Sequence, residues 1–249
     1  FEVMADPAIE LVAEACAILS VAPPGGARPR EQLRRILVQA PPRVFGKGFL
    51  DRVDALLSAE LANKEVVDSA ALPTTSDPRL VVWQGDITTL KVGAIVNAAN
   101  ERGLGCFQPD HRCIDNVIHC AAGPHLRDAC EQALAKQGAV LPTGTAMITE
   151  SFALPCDCVI HTTGPVGEKP KLLASCYNSV LEQCREVGVR SVAFCCVSTG
   201  LFGYPQENAA KVAIATVVEW LDANPGFVDR VVFNTFLDSD REIYNTLLQ

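Results

Sequence analysis

The chain has 249 residues, 49% hydrophobic and 20% charged, with a formal net charge of −8 at pH 7. No apolar run approaches the roughly eighteen residues of a membrane helix, and the composition is too apolar for a disordered chain, so a soluble globular protein is expected. The net acidity argues against the broad cationic field that duplex nucleic acid requires, but a small anion held by backbone N–H groups, a helix N-terminus or a metal is compatible with it.

Residues 1 to about 75 differ from the rest. Pro7 to Ala22, Pro29 to Ala40 and Gly48 to roughly Val67 carry apolar residues at helical spacing, and Pro23-Pro24-Gly25-Gly26 and Pro41-Pro42 separate them as helix stops. This predicts an N-terminal helical extension. The polar stretch Pro73 to Pro78 reads as a linker into a second unit, giving a division at 1–75 and 76–249. Beyond it, strands are expected at Leu80–Gln84, Ala94–Asn97, Thr145–Glu150, Cys158–His161, Ser191–Val197 and Arg230–Phe236. Helices are expected at Ile114–Gln137, Lys171–Val187, Pro205–Ala223 and Asp240–Leu248. Such alternation implies an α/β sheet covered by helices on both faces, with ligands settling at the carboxyl ends of the strands.

The eleven cysteines are odd in number, follow no secretory signal and often sit inside apolar runs such as Val192 to Val197, so they read as reduced thiols in a cytoplasmic protein. The chain begins at Phe1 rather than Met, which leaves a removed or omitted leader open. Cys156 and Cys158, at strand spacing, read as buried thiols on one face. Among the histidines, His119 reads as a packed core residue, His161 as a strand end supporting a loop, and His125 as exposed.

Three loops carry candidate chemistry. Cys106, His111 and Cys113 lie within eight residues that Gly103, Gly105 and Pro109 keep from being helical. Two sulfurs and one imidazole can wrap a tetrahedral ion, zinc by preference, although the spacing matches no standard finger and chance placement in a cysteine-rich chain remains the plain alternative. Trp83-Gln84-Gly85-Asp86-Ile87-Thr88 and Ala94 to Asn100 bring an aspartate and two amides to strand ends, where they serve either as turn caps or as ribose ligands. Ser198-Thr199-Gly200-Leu201-Phe202-Gly203-Tyr204-Pro205 joins a strand to a helix, and its glycines let N–H groups converge on phosphate or simply make a turn.

Taken in order, Gly85-Asp86-Ile87-Thr88, Asn97-Ala98-Ala99-Asn100, the loop running into Ile114-Asp115-Asn116, Cys158 to Pro165 and Ser198 to Pro205 resemble the macrodomains, which bind ADP-ribose. The resemblance runs from about Leu80 to Gln249. It implies a three-layer α/β/α fold with a mixed, twisted sheet. Ordinary members carry a run of glycines where this chain has Leu104 to Cys113. That departure resembles the zinc-containing branch, which removes ADP-ribose from proteins, carries an N-terminal helical extension and is often linked in bacteria to a sirtuin-type ADP-ribosyltransferase.

The resemblance implies roles for individual residues. Asp86 and Ile87 would take adenine, with Phe236, or alternatively Phe233, stacked on it. Ser198, Thr199, Gly200, Leu201 and Phe202 would wrap the diphosphate, with Phe202 against the distal ribose. Asn100 would hold that ribose, and Asp115 would act beside the scissile bond. Zn2+ on Cys106, His111 and Cys113 would work either as a Lewis acid or by acidifying water. The expected substrate is a mono-ADP-ribosylated protein, its linkage a carboxylate ester. A reader that binds ADP-ribose unchanged with a structural zinc, or a deacetylase of O-acetyl-ADP-ribose, would use the same pocket.

Overall fold

The computed structural model describes residues 6–25 and 28–249. Phe1, on which the leader expectation rests, and Gly26 of the first helix stop lie outside the described residues.

Three helices come first: α1 (Pro7–Leu19), α2 (Pro29–Gln39) and α3 (Lys47–Ala62). Each of the first two starts with a proline, whose missing N–H costs nothing in a first turn, and the Asp6 carboxylate accepts from Ala8 N at 3.0 Å to cap α1. Their inward residues, among them Leu11, Leu33, Ile36, Phe49, Val53 and Leu57, form a hydrophobic cluster of their own. The helix expected to reach Val67 stops at Ala62. Val67–Asp68 (β1) instead pairs in parallel with Leu90–Lys91 (β3), tying the end of the extension to the second unit.

The main sheet has six strands in the order β2 (Leu80–Gln84), β8 (Arg230–Thr235), β7 (Ser191–Phe194), β4 (Ala94–Ala99), β6 (Cys158–Thr163) and β5 (Ala146–Glu150). All neighbours are parallel except β5, which runs antiparallel to β6. The sheet is therefore mixed, and the arrangement is three-layer α/β/α. Its central strands are buried on both faces, so they read as continuous apolar runs rather than alternating ones. The helix α7 (Gln206–Ala223) packs on α6 (Pro170–Val187) and on α8 (Asp238–Leu247), and α4 (Ile114–Ala122) packs on α5 (Pro124–Gln137), with α2 behind α4.

A single helix expected over Ile114–Gln137 is thus two. Gly123 adopts φ +92° and Pro124 follows, so the i→i−4 ladder cannot continue through the pair. His161 lies within β6, not at its end, because the strand continues to Thr163. No helix among the described residues is long and apolar enough to cross a membrane.

Candidate active site

A cleft of about 1350 Å³ opens at the carboxyl ends of the strands. Lining it are Asp86 and Ile87; Asn100; Cys106, His111 and Cys113; Asp115; Ser198 through Phe202; and Phe236. Phe233 does not line it. It is buried in the core, its ring centre 4.9 Å from that of Tyr244, whereas Phe236 is 83% exposed.

At one end β2 delivers Gly85 and Asp86. The Trp83 ring folds back over Gly85 so closely that a Cβ there would lie 2.2 Å from it, which explains the glycine. Asp86 spends one carboxylate oxygen on Thr88, accepting from its N–H at 3.0 Å and its hydroxyl at 2.6 Å. The other oxygen lies 3.9 Å from the Lys64 ammonium. The capping and ligand readings of Asp86 are therefore compatible, one oxygen for each.

The middle of the cleft is the Ser198–Tyr204 loop. Ser198 sits at φ +67°, Tyr204 N donates to Ser198 O at 3.0 Å, Gly203 N to Gly200 O at 3.0 Å, and Gly167 N to Phe202 O at 2.7 Å. Among the described residues, the N–H groups of Gly200, Leu201 and Phe202 donate to no backbone carbonyl of this loop, so they are free to face a ligand.

At the far end three groups converge on Asp115. The carboxylate is buried and accepts from Asn97 Nδ2 at 2.8 Å and from Asn100 Nδ2 at 3.4 Å, with His119 Nε2 at 3.4 Å. Burial pushes the Asp115 carboxyl up to about 6, against the opposing pull of the Asn97 amide and the Arg127 charge. Asn97 also meets His161 Nδ1 at 3.1 Å, and His161 Nε2 meets the Thr149 hydroxyl at 2.9 Å. Burial holds His161 down at about 3 and, with the nearby charges of His161 and Arg127, holds His119 well below its usual range, so both are neutral. The core reading of His119 agrees with this. His125 is half-buried, not exposed: its ring stacks on Phe152 and reaches to 3.3 Å from Asp54. Cys156 and Cys158 are buried thiols.

Cys106, His111 and Cys113 bring their ligand atoms within 4.8 Å of one another, with Cys106 Sγ 3.3 Å from His111 Nδ1. These separations suit donors about 2.0–2.3 Å from a common tetrahedral ion. Cys113 also caps α4, its sulfur accepting from Asn116 N at 3.4 Å, which places it at the positive end of a helix. Burial pushes the Cys113 thiol up to about 12. The donor chemistry and its spacing fit zinc, and the group contains three ligands among the described residues.

Of the two amides picked out from sequence, Asn97 faces neither a turn nor the cleft but is buried within β4, its Nδ2 directed at Asp115 and His161. Other participants were not picked out. Asn116 donates to the Gln108 and His111 carbonyls at 2.7 and 2.8 Å and steadies the cysteine loop from within. Arg30, Arg34, Glu60 and Lys64 of the extension also line the cleft. Nothing local in the sequence marked them.

A family model, the Macro domain, matches residues 96–213. A protein-ADP-ribose hydrolase of Treponema medium is 44% identical over 225 residues, covering 87% of this chain and 86% of its own length. The chain belongs to the macrodomain family. A second relative, a probable bifunctional ADP-ribose hydrolase/ADP-ribosyltransferase of Fusarium oxysporum f. sp. cubense, is 42% identical over 87% of the macrodomain chain, which spans only 40% of that longer protein. Among solved structures, the Trypanosoma brucei macrodomain in complex with ADP-ribose superposes with a TM-score of 0.66 at 30% identity, covering 95% of each chain.

Proposed function

We propose that this macrodomain hydrolyses the bond between the distal ribose of ADP-ribose and a modified protein side chain, a carboxylate ester, with zinc held by Cys106, His111 and Cys113. The observation that carries the reading is the meeting of a three-ligand group, the buried Asp115 carboxylate and the Asn100 amide at one end of the cleft. The hydrolase names of the relatives and the ADP-ribose complex of the related macrodomain support the substrate class.

In this reading the adenine amino group donates to the Asp86 oxygen that Thr88 leaves free, with Ile87 at the neighbouring edge and Phe236 stacked on the base. The unpaired N–H groups of Gly200 to Phe202 cradle the diphosphate, whose charge needs no net positive field when backbone dipoles supply it. Asn100 holds the distal ribose, and a fixed geometry of this kind is itself a large part of the rate. Asp115, oriented by Asn97 and Asn100, takes a proton from the attacking water or aligns it. Zinc, when bound, supplies Lewis acidity that polarises a ribose oxygen or makes a water acidic near neutrality. Cys106, His111 and Cys113 would hold the ion with three side chains among the described residues, which favours a hydrolase over a reader in which a fourth side chain would complete the set. The enzyme would reverse the work of an ADP-ribosyltransferase, of sirtuin type, in a reducing cytoplasm where the thiols stay available. The pairing of both activities in the longer relative's name supports that partnership.

The test is removal of the label from an ADP-ribosylated protein, together with metal analysis and ADP-ribose binding, for the wild type, Cys113→Ala and Asp115→Asn. Expected are about one zinc per wild-type chain, loss of it in Cys113→Ala, and a fall of about a hundredfold or more in hydrolysis for both variants with ADP-ribose affinity preserved. A wild type that binds ADP-ribose and leaves the label in place would make the protein a reader. Faster turnover of O-acetyl-ADP-ribose than of modified protein would make it a deacetylase.

A further inference from the structure

Three arginines outside the recognised motifs hold the segment from Leu104 to Asp110 from behind. Pro41 halts α2, so carbonyls of its last turn find no partner within the helix. Leu37 O and Ala40 O accept instead from the guanidinium of Arg127, contributed by α5, the first at 3.0 Å. The Nε of Arg127 donates to Leu104 O at 2.9 Å, and the face of its guanidinium lies 4.3 Å from the centre of the Phe107 ring. Arg127 is 5% exposed. Burial lowers its pKa from the usual guanidinium range against the opposing charge of Asp115, while three carbonyls, two of them at the negative end of α2, and the aromatic face take the place of part of the lost water. From α2 itself, Arg34 donates to Pro109 O at 2.9 Å while pairing with Glu31, and Arg35 pairs with both oxygens of Asp110.

The segment needs such support. Among the described residues no backbone N–H from Leu104 to Asp110 donates to a backbone carbonyl, only those of the flanking Gly103, His111 and Cys113, yet Cys106 and His111 must stay in register with Cys113 at the start of α4. The arginine contacts at Leu104, Phe107, Pro109 and Asp110 bracket Cys106 and stand directly before His111.

We propose that Arg34, Arg35 and Arg127 clamp this segment onto α2, fix the spacing of Cys106, His111 and Cys113, and so make the helical extension a working part of the site. They are positioning residues, acting through the loop they hold. The metal consequence rests on the zinc reading; the clamp itself concerns the order of the loop and stands or falls without it.

Hydrogen–deuterium exchange on the whole chain tests the clamp, comparing wild type with Arg127→Met and with Arg34→Ala/Arg35→Ala. Expected is exchange about tenfold faster at the Gly103, His111 and Cys113 amides and unchanged at the Gly203 and Tyr204 amides of the other loop. In parallel, zinc should be lost to a chelator about tenfold faster, and hydrolysis should fall in kcat while, for Arg127→Met, since Arg127 does not line the cleft, ADP-ribose affinity holds within about threefold. Exchanging the pair, Arg35→Asp with Asp110→Arg, should restore protection relative to Arg35→Asp alone, which a merely structural role would not produce. Wild-type exchange at those amides in both variants overturns the proposal. If Arg127→Met does not fold, the double variant decides by the same criterion, since Arg34 and Arg35 are partly exposed. A wild type that holds no zinc, with the loop still loosened in the variants, removes the zinc reading and leaves the clamp.

Discussion

The two loops that meet across the cleft are built on opposite plans. The Ser198–Tyr204 loop organises itself, through backbone hydrogen bonds among Ser198, Gly200, Gly203 and Tyr204 and one bond to Gly167. The Gly103–Cys113 loop is held by side chains supplied from elsewhere: Asn116 on α4, Arg127 on α5, and Arg34 and Arg35 on α2, the last two 75 residues away in sequence from the groups they grip. One plan gives a rigid cradle whose shape is encoded locally. The other gives a loop whose geometry depends on whether the extension is docked.

The largest effect that separates the two should come from glycine substitutions. A Cβ at Gly164 would lie 2.0 Å from Ser198 Oγ and 2.8 Å from Val197 Cγ1, so rotating the serine hydroxyl away does not relieve the contact and the cradle must move. Overpacking of this kind costs about 1–3 kcal/mol. For Gly164→Ala this predicts a loss of ADP-ribose affinity of about tenfold or more, measured by calorimetry. Gly105, at φ +85° with its Cβ position 3.0 Å from the His119 ring, belongs to the other loop. Gly105→Ala should slow hydrolysis and speed zinc loss, with affinity for ADP-ribose nearly intact. Equal losses of affinity in the two variants would erase the distinction.

The same contrast explains what the sequence revealed. Strands β2, β4, β6, β7 and β8 and the motifs at their ends were legible, because apolar runs punctuated by glycine and asparagine encode both strand and turn locally. The spacing of Cys106, His111 and Cys113 was legible as a possible ligand group for the same reason. The arginine contacts were not. A charged residue on an amphipathic helix looks alike whether it meets water or a carbonyl 75 residues on, and Arg127 in particular carries no local mark of its burial. The break at Gly123-Pro124 was written in the sequence but overridden by the apolar periodicity on either side. β1, of two residues, is fixed by its pairing with Leu90–Lys91 and has no pattern of its own.

Acid should act on only one end of the cleft. His161 lies behind Asn97 and Asp115 with Cys130, His119 and Thr149 around it, and burial holds it neutral down to about pH 3. The unfolded chain carries a histidine of pKa near 6.5, so below that pH it takes up a proton that the folded state refuses. Stability from this group is therefore complete above about pH 6.5 and is lost as the pH falls toward 3. Between pH 7 and pH 5 the loss is about 2 kcal/mol. Asp115 acts in the opposite sense, since its folded pKa is raised to about 6, so wild-type titration alone mixes the two. Urea unfolding of wild type and His161→Gln at both pH values isolates the histidine: the wild type should lose about 2 kcal/mol more than the variant. Parallel pH dependence in the two proteins would show that His161 is protonated within the fold.

The smallest effect belongs to the end farthest from the cysteine loop. Phe236 follows β8, is 83% exposed, and its carbonyl accepts from Gln84 Nε2 at 3.1 Å, which keeps the backbone in place while the ring stands free. A ring that buries little in the free protein adds little to stability, so Phe236→Ala should leave the melting temperature nearly unchanged. Stacking on a base is worth about 1–3 kcal/mol, and an exposed site draws on the lower part of that range. Affinity for ADP-ribose should therefore fall by about tenfold, while affinity for ribose 5-phosphate, which has no base to stack, should not change. Zinc content and the rate of hydrolysis at saturating substrate should also match the wild type, because the hydrogen bond that Phe236 makes is to Gln84 and not to the arginine-held loop. If Phe236→Ala instead lowered the saturated rate, the two ends of the cleft would be coupled through the bound nucleotide, and the locally encoded half of the site could no longer be treated as a passive anchor for the half that the extension holds.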